Sequence, residues 1–182
     1  MQMNEIGEVK VLGRPLRLST LEAVKSHWQH AQRAREPITK FDSFSKGWDR
    51  LSAGLFPDSS SSTHRFKKLT GLCKEVAHLP SIRDLLCEPG SPIRDDHITS
   101  SAEVQADFHR AQREFRSFQQ RRIPGEVLLE SIGRLLWTIR SNSMHGYKTP
   151  SGPAGPSERD EQICGLASKV MADLYACAFP DW

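Results

Sequence analysis

The chain has 182 residues, a length that suggests one domain. Apolar residues make up 37% and charged residues 26%, the balance of a soluble globular protein with room for a sizeable core, and not of a disordered chain. A net charge of +3 permits an anionic partner without demanding one, because strong nucleic-acid binders are usually more basic. No window reaches the ~18 apolar residues of a membrane span. The start, MQMNEIGEVK, lacks the basic-then-apolar order of a secretory signal, so a cytoplasmic protein is expected. Cys73, Cys87, Cys164 and Cys177 form no C-x-x-C pair and have no His at ligand spacing. Reduced, mostly buried thiols are expected, with no metal and no cofactor.

Residues 1–18 hold Val9-Lys-Val-Leu12 before Gly13 and Pro15, a small strand or an extended arm. Ser19-Thr-Leu-Glu22 has the pattern of a capping box, predicting a first helix to about Arg35 with Leu21, Val24 and Trp28 inward. Its His27 and His30 are expected on a solvated face. Phe41, Phe44, Trp48, Leu51 and Leu55 recur at three- and four-residue steps, which predicts a second helix whose aromatic stripe is core. After the polar loop 57–63, Phe66, Leu69, Leu72, Cys73, Val76 and Leu79 predict a third helix, stopped by Pro80. Ile82 to Cys87 reads as a short turn or helix, and residues 88–99 as a breaker-rich loop. Asp95, Asp96 and His97 in that loop lack further ligands and read as turn and capping residues.

Ser100-Ser-Ala-Glu103 is a second capping-box pattern. The helix after it carries Val104, Phe108, Ala111, Phe115 and Phe118 on one stripe, and Arg110, Arg113, Arg116, Arg121 and Arg122 elsewhere. Such a basic edge suits a phosphate backbone, although Asp107 and Glu114 lie among the arginines. Pro124-Gly125 breaks the chain. The next helix turns Val127, Leu128, Ile132, Leu135, Leu136 and Ile139 inward. The Pro- and Gly-rich loop 147–157 leads to a last helix, with Ile163, Cys164, Ala167, Val170, Met171, Leu174, Tyr175 and Ala178 at helical period. The fold class is therefore all-α, a helical bundle in one domain over 1–182, with the two long C-terminal helices packed antiparallel.

The chemistry concentrates in Ile132 to Lys148, IGRLLWTIRSNSMHGYK. Arg140 is a permanent cation, and His145, five residues on, can move protons near neutral pH. On an ideal helix, residues five apart diverge by about 140°. The two converge only if the helix loosens or ends between them. Ser141, Asn142 and Ser143 are weak helix formers, and Gly146 suits a helix end. His145 would then sit near a helix C-terminus, where the dipole favours imidazolium.

WTIRSNSMHGYK resembles the signature of the HEPN family, small all-α proteins with an R-x-x-x-x-H core usually followed by Gly and a basic residue. Arg140, His145, Gly146 and Lys148 match. The family often has Asn directly after the Arg, whereas Ser141 stands there and Asn142 follows. Arg159-Asp160 before a long amphipathic helix resembles the family's last helix, and Phe41 to Leu51 resembles its Phe/Trp-rich second helix. The resemblance implies a HEPN-like bundle that dimerises through the motif helix, with the two motifs facing each other. It implies a metal-independent RNA endonuclease, of a kind that often serves as a toxin or defence effector. Its catalytic residues would be Arg140 and His145, with Asn142 or Ser141 orienting the imidazole or bonding a phosphate oxygen. Lys148, Arg110 and Arg113 would add RNA contacts. A nucleotidyltransferase-like antitoxin sometimes modifies a residue near the motif, and Tyr147 is placed for that. The alternative is a non-catalytic HEPN-like module that binds nucleotides or proteins.

Overall fold

The structure, a computed structural model, describes residues 7–87, 102–145 and 158–182; for Ala102, Asn142 to His145 and Arg159 it describes the backbone alone. The described residues are mostly helical. Seven α-helices follow one antiparallel hairpin, β1 (Glu8–Val11) and β2 (Arg14–Arg17). Val11 pairs with Arg14, leaving Leu12 and Gly13 to turn the chain with φ of 50° and 76°. Two positive φ values in a two-residue loop match the strand twist, and Gly13 adopts its value without a Cβ penalty. Val9, Val11 and Leu16 are buried, so this segment is a hairpin joined to the core and not a loose arm.

Helix α1 (Leu18–Arg33) starts directly from β2, with Arg17 as its N-cap and no side-chain cap bond. The capping box expected at Ser19 is therefore absent, because Ser19 already lies in the first helical turn. Pro37, the residue expected to stop the first helix, instead opens α2 (Pro37–Leu55) at the position where its missing N–H has no intrahelical partner to lose. The aromatic stripe of α2 is core, as its spacing predicts, with Phe41, Phe44, Trp48 and Leu51 fully buried. The buried ring donors there are bonded: Trp48 Nε1 donates to Thr70 Oγ1 at 3.2 Å, and Tyr175 Oη, from the last helix, donates to the Phe44 carbonyl at 3.0 Å.

The third helix is shorter than predicted. Helix α3 (Ser62–Leu72), capped by Ser61 Oγ, ends before Cys73, and a 3-10 turn (Lys74–His78) follows. Pro80 then begins α4 (Pro80–Cys87) instead of stopping α3. The bend at Cys73 turns its thiol toward the Leu174 carbonyl at 3.9 Å and buries Val76 and Ala77 in the same patch. A straight helix through this stretch would place these side chains along a single stripe.

Helices α5 (Ala102–Gln119), α6 (Gly125–His145) and α7 (Glu158–Ala178) complete the bundle. The inward residues expected on α7 are all buried, and so are those of α6 except Val127, which is 40% exposed in the first turn of the helix. Helix α6 packs mainly on α3 and α5, and α7 on α2 and α4. The expected direct pairing of the two long helices is thus replaced by a slight touch between them, since each has its main partners elsewhere. Gly133 lets α6 approach α3 closely: a Cβ there would come within 2.9 Å of Thr70. Asp107, expected among the arginines of α5, is instead 5% exposed and clamps α5 to α6. It accepts from Arg134 Nε at 2.7 Å and from Thr138 Oγ1 at 2.8 Å. No described helix is long and apolar enough to cross a membrane.

Candidate functional site

Helix α6 carries the motif. Its apolar positions Leu128, Ile132, Leu135, Leu136 and Ile139 bury one face and leave the next residue, Arg140, at the margin of the core. Asp49 and Trp137 hold the guanidinium. Nη1 lies 3.3 Å from Asp49 Oδ2 on α2, and the group sits 5.1 Å over the ring of Trp137, one turn back. Trp137 is itself set edge-on against Phe66, 5.5 Å away. The Arg140 side chain is 18% exposed, so its charge is largely desolvated and its direction set by packing.

Asp49 belongs to a polar stripe that the aromatic pattern of α2 hides. Asp42, Ser45, Asp49 and Ser52 follow each other at steps of three, four and three residues, on one face of the helix. Ser52 Oγ donates to the Asp49 carbonyl at 2.8 Å. Asp42 pairs with Lys46 at 2.6 Å. Asp49 Oδ1, Asp42 Oδ1 and the fully buried Ser45 Oγ have no hydrogen-bond partner among the described residues. Buried oxygens of this kind usually have partners.

Titratable groups on α1 and α7 feel the same stripe. Burial pushes the Cys164 thiol up to about 12, with Asp160 and Asp42 adding to the shift. Burial also lowers His27 below its ordinary value; the Lys46 cation acts in the same direction and Asp42 opposes both. His27, expected on a solvated face, is therefore half-buried beside α2.

The predicted site residues do not all come together. Arg140 and Ser141 are half-buried on α6. The helix does not loosen after Arg140; it continues through His145, its last residue. The helix penalties of Ser141, Asn142 and Ser143 are each well under about 1 kcal/mol, too small to break a packed helix. Within one chain, Arg140 and His145 therefore leave the axis about 140° apart and about 7.5 Å along it. For Asn142 and His145 only the helical backbone is described, and Gly146, Tyr147 and Lys148 lie outside the described residues, as do Asp95, Asp96 and His97. Arg110 and Arg113 are exposed on α5 and form no ion pair among the described residues. Among those residues, no three His, Cys, Asp or Glu side chains gather as metal ligands would.

Asp49 is a candidate-site residue that motif spacing does not reveal. Its signal is a carboxylate and a serine at helical spacing between aromatics, but its partner stands 91 residues away. No family model, no curated protein and no solved structure matches this chain.

Proposed function

We propose that the chain is a metal-independent RNA endonuclease of HEPN type, acting as a cytoplasmic toxin or defence effector. The observation that carries the reading is Arg140, desolvated and aimed by Asp49 and Trp137, on one unbroken helix with His145. A preoriented guanidinium in a partly dry setting stabilises charge far better than one free in water.

In this scheme the RNA 2′-oxygen attacks the adjacent phosphorus and the bond to the 5′-oxygen breaks, leaving a 2′,3′-cyclic phosphate. His145 takes the proton from the 2′-hydroxyl or delivers one to the departing 5′-oxygen. Arg140 offsets the charge of the phosphorane, with the phosphate competing against Asp49 for it. Asn142 or Ser141 orients the imidazole, and Lys148 binds a further phosphate. DNA, lacking the 2′-hydroxyl, is inert. Because positions 140 and 145 stand about 140° apart on one helix, the site is shared across a two-fold axis: Arg140 of one copy meets His145 of the other. An antitoxin that transfers a nucleotide to Tyr147, two residues after His145, would block cleavage.

A mixing experiment tests both the chemistry and the sharing. Arg140→Ala and His145→Ala are each inactive alone. A mixed dimer of the two keeps one intact composite site and regains part of the wild-type cleavage. Full activity of either single variant overturns the nuclease reading, and inactive variants that never complement overturn the shared site.

One observation favours the non-catalytic module. Asp49 already neutralises Arg140, as a purely structural ion pair would. In that reading, Arg140→Lys, which keeps the charge, leaves every measurable function of the protein unchanged. The nuclease reading predicts that it loses cleavage, because a lysine lacks the planar fork.

A further inference from the structure

The other end of α6 carries a second set of cations, in a different state. Gly125 precedes Arg140 by fifteen residues, about 22 Å of helix. Around that end lie two grooves of about 560 and 390 Å³ that share Gln119 as a wall. Every charged side chain lining them is an arginine: Arg121 and Arg122 in the first, beside the His78 ring, and Arg83 and Arg116 in the second. Among the described residues, no carboxylate lines either groove. The four arginines are exposed, and none makes an ion pair with another described residue. The floor is aromatic and apolar, with Phe118 packed 4.9 Å from the His78 ring and Phe115 in the second groove.

The backbone adds an independent observation. Helix α5 ends in a Schellman motif: the Arg122 N–H bonds the Ser117 carbonyl at 2.9 Å, and the Arg121 N–H bonds the Phe118 carbonyl at 2.8 Å. The left-handed residue of that motif is normally glycine, yet here it is Arg121, at φ 56°. Keeping a large cation in a conformation that disfavours side chains points to a use for its charge.

We propose that these grooves hold the backbone of single-stranded RNA, as an anchoring surface separate from the Arg140 end. The inference rests on RNA being the partner of this chain. Planar guanidinium groups along a rim suit a strand with one phosphate per nucleotide, and the aromatic floor suits its unstacked bases. A duplex offers no free bases to that floor. An acidic peptide would satisfy the arginines but brings no ring to stack.

Binding is measured with the full chain carrying His145→Ala, so that the RNA survives, using a short labelled oligouridylate at several salt concentrations. The combined substitutions Arg121→Gly and Arg122→Ala are expected to weaken binding about tenfold and to reduce the salt slope by about 1.4, roughly 0.7 for each phosphate no longer neutralised. Arg121→Gly relieves the left-handed strain, so a melting temperature at or above that of the parent excludes misfolding as the cause. In the chain with His145 intact, the same pair raises KM and leaves kcat unchanged. Unchanged affinity and salt slope overturn the proposal, as does equal competition by duplex RNA or polyglutamate. Binding that depends on these arginines without any cleavage upholds the groove and removes only the endonuclease reading. Cleavage that depends on His145 but ignores the arginines does the reverse.

Discussion

The two ends of α6 use the same residue type in opposite ways. At the C-terminal end, Arg140 is desolvated, paired with Asp49 and stacked on Trp137. At the N-terminal end, Arg121 and Arg122 stand in solvent, without ion pairs among the described residues. A buried, oriented cation acts on one atom at short range, whereas an exposed cluster attracts a polyanion from a distance and is weakened by salt. The difference comes from neighbours: α2 supplies a carboxylate to one end, and no described acid lines the grooves at the other.

Substitutions at the two ends should separate these roles. Arg140→Ala strands the Asp49 carboxylate, and should lower stability by about 1–3 kcal/mol while removing cleavage. Arg122→Ala, measured in the same chemical denaturation series, should move stability by less than about 0.5 kcal/mol. Equal losses at both ends would erase the contrast.

Asp107 holds the helix between the ends. Asp107→Ala removes the acceptor of the half-exposed Arg134 and one of the two acceptors of Thr138 Oγ1, which keeps the Arg134 carbonyl, and should cost about 1 kcal/mol. If α5 owes its position to apolar packing alone, the urea midpoint will stay where it is.

Arg121→Gly should act in the opposite direction. Relief of left-handed strain is worth about 1–2 kcal/mol, and the added freedom of Gly in the unfolded chain returns part of it, so a net gain of about 0.5–1 kcal/mol is expected. A loss of stability would mean that the Arg121 side chain itself holds the α5 terminus.

The smallest effect is one of pH. His27 is lowered in the folded protein, chiefly by burial, so the unfolded chain takes up its proton first as pH falls. Stability from this residue is fully present above its unfolded value of 6.5 and declines as pH drops through and below it. His27→Gln should flatten that part of the stability profile. A profile identical to that of the parent would show that His27 is as solvated when folded as when unfolded.

What is legible in the sequence follows from periodicity. The apolar steps of α2, α5, α6 and α7 are local and regular, and those helices stand where the pattern puts them. Three features are not local. The break at Cys73 has only Gly71, still inside the last turn of α3, to announce it, and depends on burying Val76 and Ala77. The serine at 19 has the spacing of a cap, but the hairpin hands the chain directly into α1. Asp49, which pairs with Arg140, sits on a helix whose sequence advertises only its aromatics. The motif itself is visible as residue types and spacing, while the direction of Arg140 depends on Asp49 and Trp137 together.

The most direct measurement is incubation of purified protein with single-stranded RNA in the presence of a chelator, with the product ends identified. The account predicts fragments ending in 2′,3′-cyclic phosphate from the parent chain and none from His145→Ala. Intact RNA with the parent chain, or the same fragments from both proteins, would contradict it.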